Sequence, residues 1–131
     1  MTDVLADTSV WIQYLRRGGA EPLDAALADR SVLMCGPVAA ELLSGARGET
    51  AVLLRARFRG LRWLPLAEPD DWYAAAELRA ASSARGRPVM LVDTLLAVIA
   101  IRARLRLLTL DRDFEVIAAV ADGLDLRILS A

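Results

Sequence analysis

The chain of 131 residues contains no histidine, no lysine and only one cysteine, and these absences restrict its chemistry. Without histidine, the protein lacks the commonest general acid and base and the commonest zinc ligand. The lone thiol, Cys35, cannot form a disulfide framework or a thiolate metal cluster within one chain, and we interpret it as a buried structural side chain. Any catalysis must therefore use carboxylates, hydroxyls, arginines or a hard metal ion.

The absence of lysine argues against two classes of α/β protein that also place aspartates at strand ends. Receiver domains and haloacid-type phosphotransferases depend on a lysine beside the phosphoryl group, whereas all 16 basic residues of this chain are arginine. The phosphotransferase pattern also needs an acid two residues after Asp7, where this chain has Ser9. Neither class fits the sequence.

Long apolar segments are also missing. The longest unbroken apolar run, from Leu95 to Ile101, is too short to span a membrane, and no signal-peptide pattern opens the chain. We therefore expect a cytoplasmic protein without membrane association. Because the net charge is −1, a nucleic acid would have to be met by a local patch of arginines. The candidate patches are Arg16 with Arg17, Arg55 with Arg57 and Arg59, Arg85 with Arg87, and Arg102 with Arg104 and Arg106.

Short apolar segments alternate with longer segments that have helical spacing of apolar residues. The predicted strands are 4–6, 32–35, 61–64, 107–109 and 126–129, and helices are predicted between them. This alternation indicates βαβ units and a parallel sheet with helices on both faces, which is an α/β fold. The length predicts a single domain over residues 1–131.

Five acids occupy positions where such a sheet gathers functional groups. Asp7 directly follows the first predicted strand, and Asp111 follows the strand at 107–109, with Asp113 two residues further on. Glu41 lies early in the helix after the second strand, and Asp93 precedes the most apolar run. Each acid has a structural alternative, because the four aspartates could cap helix N-termini and Glu41 could be an exposed helical acid.

Convergence of these acids would require a cation. Two carboxylates about 5 Å apart repel each other by roughly 3 kcal/mol at an effective dielectric constant near 20. Oxygen ligands without histidine or a usable thiolate select a hard divalent ion, Mg²⁺ or Mn²⁺. The reaction that suits such a site is hydrolysis of a phosphodiester by a water that the ion activates.

Four segments of the sequence carry a resemblance to a known family. They are 4–11 (VLADTSVW), 37–45 (PVAAELLSG), 86–88 with 93–97 (GRP and DTLLA), and 108–114 (LTLDRDF). No single segment is specific, but in this order and at these separations the chain resembles a PIN-domain protein of the VapC type, the toxin half of prokaryotic toxin–antitoxin pairs. The similarity covers essentially the whole chain.

The resemblance implies a three-layer α/β/α domain with a central, mainly parallel sheet. It also implies an endoribonuclease that uses Mg²⁺ or Mn²⁺, leaves a 5′-phosphate and a 3′-hydroxyl, and inhibits translation and growth. The RNA would be a single-stranded or loop region of tRNA, rRNA or mRNA. The implied partners are a cognate VapB-type antitoxin and a second copy of the chain, in a homodimer and a larger toxin–antitoxin complex.

The resemblance also assigns site residues by position. Asp7 and Asp93 match the principal metal ligands of the family, and Asp111 matches the third aspartate. Glu41 matches the acid that holds metal-bound water or completes the coordination of the ion. The supporting positions are Thr8 or Ser9, Thr109 and Asp113.

Two other interpretations compete with this one. A Toprim-like metal nuclease would use the acid pair Asp111 and Asp113, but that fold needs a glutamate where the chain has Asp7. A catalytically silent PIN-fold protein could act through apolar surface as an assembly partner. Four aromatic residues on predicted helices could contribute to such a surface, although we expect most of them in the core. They are Trp11, Tyr14, Trp72 and Tyr73.

Overall fold

The computed structural model describes residues 2–130 and contains a five-stranded sheet in which every pairing is parallel. The strands are β1 (Val4–Ala6), β2 (Val32–Met34), β3 (Arg62–Trp63), β4 (Arg106–Thr109) and β5 (Asp125–Ile128). Their order across the sheet is β3-β2-β1-β4-β5. The predicted parallel sheet is confirmed, with the short strand before Pro65 at one edge.

Helices connect the strands and form two groups. The first group is α1 (Thr8–Arg17), α2 (Leu23–Ala28), α3 (Gly36–Ser44) and α4 (Gly48–Arg59), and the second is α5 (Asp70–Ala84), α6 (Leu91–Ala103) and α7 (Asp113–Val120). Helices α1, α3 and α4 pack in sequence with one another, whereas α5, α6 and α7 pack together. Because β4 and β2 lie on opposite sides of β1, right-handed crossovers place the two groups on opposite faces of the sheet. The predicted three-layer α/β/α fold is confirmed.

Helix α6 is the central helix of its layer. All of its residues from Thr94 to Ala100 are buried, as expected for a helix that is apolar around most of its circumference. The apolar run that follows Asp93 therefore lies in the interior and holds the first turn of the helix in place. Among residues 2–130, no helix combines the length and the hydropathy that crossing a membrane requires.

The single thiol and two of the four aromatic residues are where the sequence predicts them. Cys35 is fully buried, and burial raises the pKa of its thiol to about 11. Trp11 is also fully buried, and its ring meets the ring of Tyr14 edge to face at a centroid distance of 5.7 Å. The prediction of core positions is wrong for Trp72 and Tyr73, which are 39% and 65% exposed. The buried stripe of α5 contains Asp71, Ala75 and Ser82. The two aromatic residues lie outside that stripe.

The chain reverses its direction across the sheet between β1 and β4. From β1 the chain continues to β2 on one side, and it later returns to β4 on the other side of β1. The strands β1 and β4 therefore form a topological switch point. Ligands of parallel α/β sheets bind in the crevice beyond the carboxyl ends of strands at such a point. The backbone N–H of Asp7 donates to the carbonyl oxygen of Leu108 at 3.0 Å and joins the two strand ends.

Candidate active site

Asp7 lies at the carboxyl end of β1 and is only 6% exposed. It is the N-cap of α1, because its Oδ1 accepts a hydrogen bond from the backbone N–H of Val10 at 3.3 Å. The hydroxyl of Ser9 also donates to Oδ1 at 2.5 Å, and the hydroxyl of Thr109 donates to Oδ2 at 2.6 Å. Burial raises the pKa of Asp7, while these hydrogen bonds act in the opposite direction. Asp7 is therefore both a helix cap and a carboxylate with a fixed orientation.

The two hydroxyls also connect Asp7 to the segment after β4. Oγ1 of Thr109 accepts a hydrogen bond from the backbone N–H of Asp111 at 3.0 Å, and Oγ of Ser9 accepts one from the N–H of Leu110 at 3.0 Å. Each hydroxyl thus donates to a carboxylate and accepts from a backbone amide, so both of its roles are satisfied.

Thr8 and Ser9 are the two residues that the resemblance leaves open for a supporting hydroxyl. The structure separates them, since Ser9 contacts Asp7, whereas Oγ1 of Thr8 is buried and has no hydrogen-bond partner within residues 2–130. Ser9 is the hydroxyl beside the carboxylate.

Asp93 lies in the first turn of α6 but does not cap it. The helix begins at Leu91, its N-cap is Met90, and no capping side-chain hydrogen bond is found there. The interpretation of Asp93 as an N-cap is wrong, because the helix starts before Asp93 rather than after it. An acid in the first turn still interacts favourably with the helix dipole.

Negative charge surrounds the carboxyl group of Asp93. Burial raises its pKa most, and the charges of Asp111, Asp7, Glu41 and Asp113 raise it further, to about 6. Charge–charge effects on a pKa extend over several ångströms where the groups are partly buried. Together with the link from Asp7 through Thr109 to Asp111, they indicate that the other four acids face the same edge of the sheet as Asp93.

The other acids of this edge are less fixed than Asp7. Glu41 on α3 is exposed, as are Asp111 and Asp113 at the start of α7. Oδ1 of Asp111 accepts a hydrogen bond from the backbone N–H of Asp113 at 2.8 Å, so Asp111 also closes the turn before α7. Within residues 2–130, no three acids stand close enough together to form a ready-made metal site. The acids therefore influence one another through their charges, but they do not form a preorganised coordination site.

Comparison with known proteins agrees with this arrangement. A profile of the PIN domain matches residues 4–120. VapC ribonuclease Mb1587 of Mycobacterium bovis and ribonuclease VapC11 of Mycobacterium tuberculosis are each 35% identical to the chain over 126 residues, which are 91% of this chain and 94% of each relative. The chain belongs to the PIN-domain family, in its VapC branch. This membership replaces the Toprim-like interpretation.

A solved structure shows the same fold as this PIN domain. The DNA-bound VapBC complex of Salmonella typhimurium matches 98% of both chains with a TM-score of 0.76 at 21% identity. The similarity of the backbone therefore extends over nearly the whole VapC-type chain.

An ion pair that the sequence did not predict joins α5 and α6 of the PIN domain. Asp71 is 2% exposed, and its carboxylate accepts hydrogen bonds from Nε of Arg102 at 3.0 Å, from Nη2 of Arg102 at 2.9 Å and from the N–H of Ala67 at 2.9 Å. Burial alone would raise the pKa of Asp71, but the hydrogen bonds and charge of Arg102 outweigh it and lower the pKa. The two residues are 31 positions apart, so no local sequence pattern reveals the pair.

Two arginines of one candidate patch for nucleic acid are paired within the chain. Arg102 is bound to Asp71, and Arg106 forms a salt bridge with Asp125 at 3.2 Å. Arg104, the third member of that patch, is exposed and forms no salt bridge within residues 2–130.

Groove volume alone does not mark the acidic edge of the PIN domain. A groove of about 550 Å³ lies at the amino ends of β2 and β3, where Val32 and Arg62 begin these strands. None of the five acids lines that groove. The acidic edge is distinguished by its charge and its place at the switch point.

Proposed function

We propose that this VapC-type PIN domain is a metal-dependent endoribonuclease and the toxin of a toxin–antitoxin pair. The observation that carries the proposal is the link of Asp7 to Asp111 through Thr109 at the switch point, where the charges of Asp7, Glu41, Asp111 and Asp113 act on Asp93. The relatives named VapC ribonuclease and ribonuclease VapC11 support the reaction class. The VapBC complexes among the similar structures support the pairing with an antitoxin.

The chemistry of the acidic set fits Mg²⁺ or Mn²⁺. All of its side chains offer carboxylate oxygens, which are the ligands that these hard cations prefer. The charged form of Asp93 is opposed by burial and by four acids, so a cation would favour it. Closing the set around an ion requires side-chain movement, which the exposed Glu41 and Asp111 have room to make.

Asp7, Asp93 and Asp111 would hold the ion. Asp7 is oriented by three hydrogen-bond donors, and Asp93 is fixed by the buried helix α6. The hydroxyl of Thr109 joins Asp7 to the backbone of Asp111 and sets the spacing of these two acids. The protein thus contributes one carboxylate that hydrogen bonds orient, one on a helix whose backbone is held by burial, and a third on an ordered turn.

Glu41 and Asp113 would act beside these ligands. When bound, the ion supplies Lewis-acid chemistry that polarises the phosphodiester and favours deprotonation of water. Glu41 positions the water for in-line attack, and Asp113 orients a ligand or a water from the start of α7. In-line attack by water that breaks the P–O3′ bond, with the 3′-oxygen as the leaving group, gives a 5′-phosphate and a 3′-hydroxyl, as the resemblance implies.

The exposed apolar side chains support partners for this toxin. Val52 and Leu53 on α4 are 68% and 62% exposed, and Tyr73 on α5 is 65% exposed. Aromatic residues are enriched at protein interfaces, and neighbouring exposed apolar side chains such as Val52 and Leu53 form the contiguous patches that mark them. We expect a homodimer and a complex with a VapB-type antitoxin, which light scattering of the purified protein with and without the antitoxin would measure.

The decisive experiment measures RNA cleavage. We expect purified protein to cleave total RNA with Mg²⁺ or Mn²⁺ and to lose cleavage in EDTA. Asp93→Asn should lose cleavage but keep its circular dichroism spectrum, whereas Asp122→Asn, an exposed acid outside the acidic set, should cleave normally. Sequencing the RNA ends would identify the target RNA.

Two results would contradict the proposal. Cleavage that persists in EDTA, or an active Asp93→Asn protein, would exclude a metal site at Asp93. A protein that binds its antitoxin tightly but cleaves no RNA with either ion would instead support the catalytically silent alternative.

A further inference from the structure

Three arginines line a groove of about 340 Å³ beside the acidic edge. The groove lies between the loop that joins α5 to α6 and the helix α7. Its charged lining consists of Arg85, Arg87, Arg112, Asp113 and Glu115. Asp113 also belongs to the acids around Asp93, so the groove and the acidic edge share a wall. We call it the arginine groove.

The three arginines of the arginine groove differ from one another in how their charges are paired. Four arginines of the described chain form salt bridges, namely Arg62, Arg102, Arg106 and Arg112. Arg112 is thereby bound to Glu115 at 2.7 Å within the groove. Arg85 donates only to the carbonyl oxygen of Ala119 at 3.4 Å, and Arg87 has neither a salt bridge nor a side-chain hydrogen bond within residues 2–130. Arg85 and Arg87 are therefore exposed guanidinium groups without a salt bridge, and with Arg112 they outnumber the two acids of the lining, Asp113 and Glu115.

An ordered turn presents these two arginines. Gly86, between them, has a φ of +73°, which a residue with a side chain adopts only at a cost. The backbone N–H of Gly86 donates to the carbonyl of Ser83 at 2.9 Å, and the N–H of Arg87 donates to the carbonyl of Ser82 at 3.0 Å. The end of α5 is closed by these bonds, so the backbone of both arginines is fixed beside the acids.

We propose that Arg85 and Arg87 bind backbone phosphates of the RNA that flank the bond held at the acidic edge. The inference rests on the proposed ribonuclease function and names a binding subsite for its substrate. A polyanion that approaches five carboxylates on a chain of net charge −1 needs local positive charge beside them. The planar guanidinium fork matches a phosphate in shape and charge.

RNA fits this groove better than an acidic protein does. The arginine groove adjoins the acidic edge through Asp113, so one strand of RNA can reach both at once. An acidic segment of a protein could also bind Arg85 and Arg87. The five carboxylates would repel it, however, and it has no phosphodiester that could bind at the acidic edge. The antitoxin is therefore the competing occupant that the test must distinguish.

The test measures binding of a short fluorescein-labelled single-stranded RNA of randomised sequence by fluorescence anisotropy in Mg²⁺. The protein carries Asp93→Asn so that the RNA stays intact, and it is compared with the same protein carrying R85Q/R87Q, R85K/R87K or R16Q/R17Q. Arg16 and Arg17, another candidate patch of the sequence, are exposed at the far end of α1. The R16Q/R17Q variant therefore loses the same two charges as R85Q/R87Q, but away from the groove. Thermal unfolding checks that each variant is folded.

We expect R85Q/R87Q to weaken RNA binding about tenfold, since two charge-assisted contacts are lost. The slope of log K against log salt should fall by about 1.4, because each phosphate contact on a single strand contributes about 0.7. R85K/R87K should keep most of that slope with weaker binding, and R16Q/R17Q should change binding by about twofold or less.

Unchanged affinity and salt slope in R85Q/R87Q would overturn the proposal, and so would an equal loss in R16Q/R17Q or no RNA binding at all. A loss of antitoxin binding with RNA binding intact would assign the groove to the antitoxin and would also overturn it. RNA binding that depends on Arg85 and Arg87, in a protein that cleaves no RNA even without Asp93→Asn, would support the RNA-binding role of the groove. It would contradict the proposed ribonuclease activity.

Discussion

Asp71 and Asp93 lie in the first turns of two neighbouring helices, α5 and α6, yet their carboxylates have opposite surroundings. The fork of Arg102 and the N–H of Ala67 bind Asp71. Asp93 faces the charges of four acids, and no arginine of residues 2–130 forms a salt bridge with it. The negative charge of Asp71 is balanced by Arg102 within the chain, whereas that of Asp93 has no such partner.

The pKa values of the two acids express this difference. Burial alone would raise both, but Arg102 lowers the pKa of Asp71, whereas the neighbouring acids raise that of Asp93 to about 6. A buried acid that is paired with an arginine, such as Asp71, stabilises the folded state. An acid that is surrounded by acids costs stability, and its charge is balanced only by a ligand from outside.

The largest effect on stability is expected from Asp71→Asn. The amide cannot balance the charge of Arg102, so the free energy of unfolding should fall by about 3 kcal/mol. Urea denaturation measures this change. Arg106→Gln is the control, because its salt bridge with Asp125 is exposed and its loss should cost less than about 0.5 kcal/mol. Equal effects of the two variants would mean that the Asp71 pair does not stabilise the fold.

Asp93→Asn should have a smaller effect of the opposite sign. Without divalent cations and at neutral pH, the variant loses a charge whose pKa is raised from 3.8 to about 6. The gain in the free energy of unfolding should be about 1 to 2 kcal/mol, after allowance for partial exposure to solvent. Urea denaturation of the same protein tests this, with Asp122→Asn as the exposed control. Destabilisation by Asp93→Asn would contradict the electrostatic interpretation.

The pH dependence of the two variants should also differ. The pKa of Asp93 is higher in the folded state than in the unfolded state. The contribution of protonated Asp93 to the free energy of unfolding is therefore fully present below pH 3.8 and is lost as the pH rises through about 6. The advantage of Asp93→Asn over the parent protein should therefore grow across this window. The pKa of Asp71 is lowered, so its contribution is present above 3.8 and is lost as the pH falls through its folded-state value.

The smallest of these stability effects is expected from Thr109→Val, which removes the hydroxyl between Asp7 and Asp111. Asp7 loses one donor and the N–H of Asp111 loses its acceptor, so the fold should lose about 1 kcal/mol. RNA cleavage should fall about tenfold, since the two acids lose their common support. Thr109→Ser, which keeps the hydroxyl, should restore cleavage. Full cleavage in Thr109→Val would show that the hydroxyl only joins the strands.

Much of the fold follows from local patterns in the sequence. Short apolar runs between helical segments predict the parallel sheet, and the carboxyl ends of parallel strands share one edge. Asp7 and Asp111 directly follow such runs, which is why their place at that edge was predictable. Asp93 was harder to place, since no polar cap marks the start of α6 at Met90.

Other features depend on the packing of distant segments. The pair of Asp71 and Arg102 forms because α5 and α6 lie side by side, and nothing in either local sequence indicates it. The exposure of Trp72 depends on which stripe of α5 meets the core. The arginine groove likewise depends on the approach of α7 to the loop after α5.

The central claim is that the charge of Asp93 is balanced by a divalent cation, and a titration of stability with Mn²⁺ tests it most directly. The free energy of unfolding of the parent protein should rise with Mn²⁺ concentration as expected for a ligand that binds the folded state alone. Asp71→Asn should gain the same increment from a lower starting value, and Asp93→Asn should gain little or none. No gain in the parent protein, or an equal gain in Asp93→Asn, would contradict the claim.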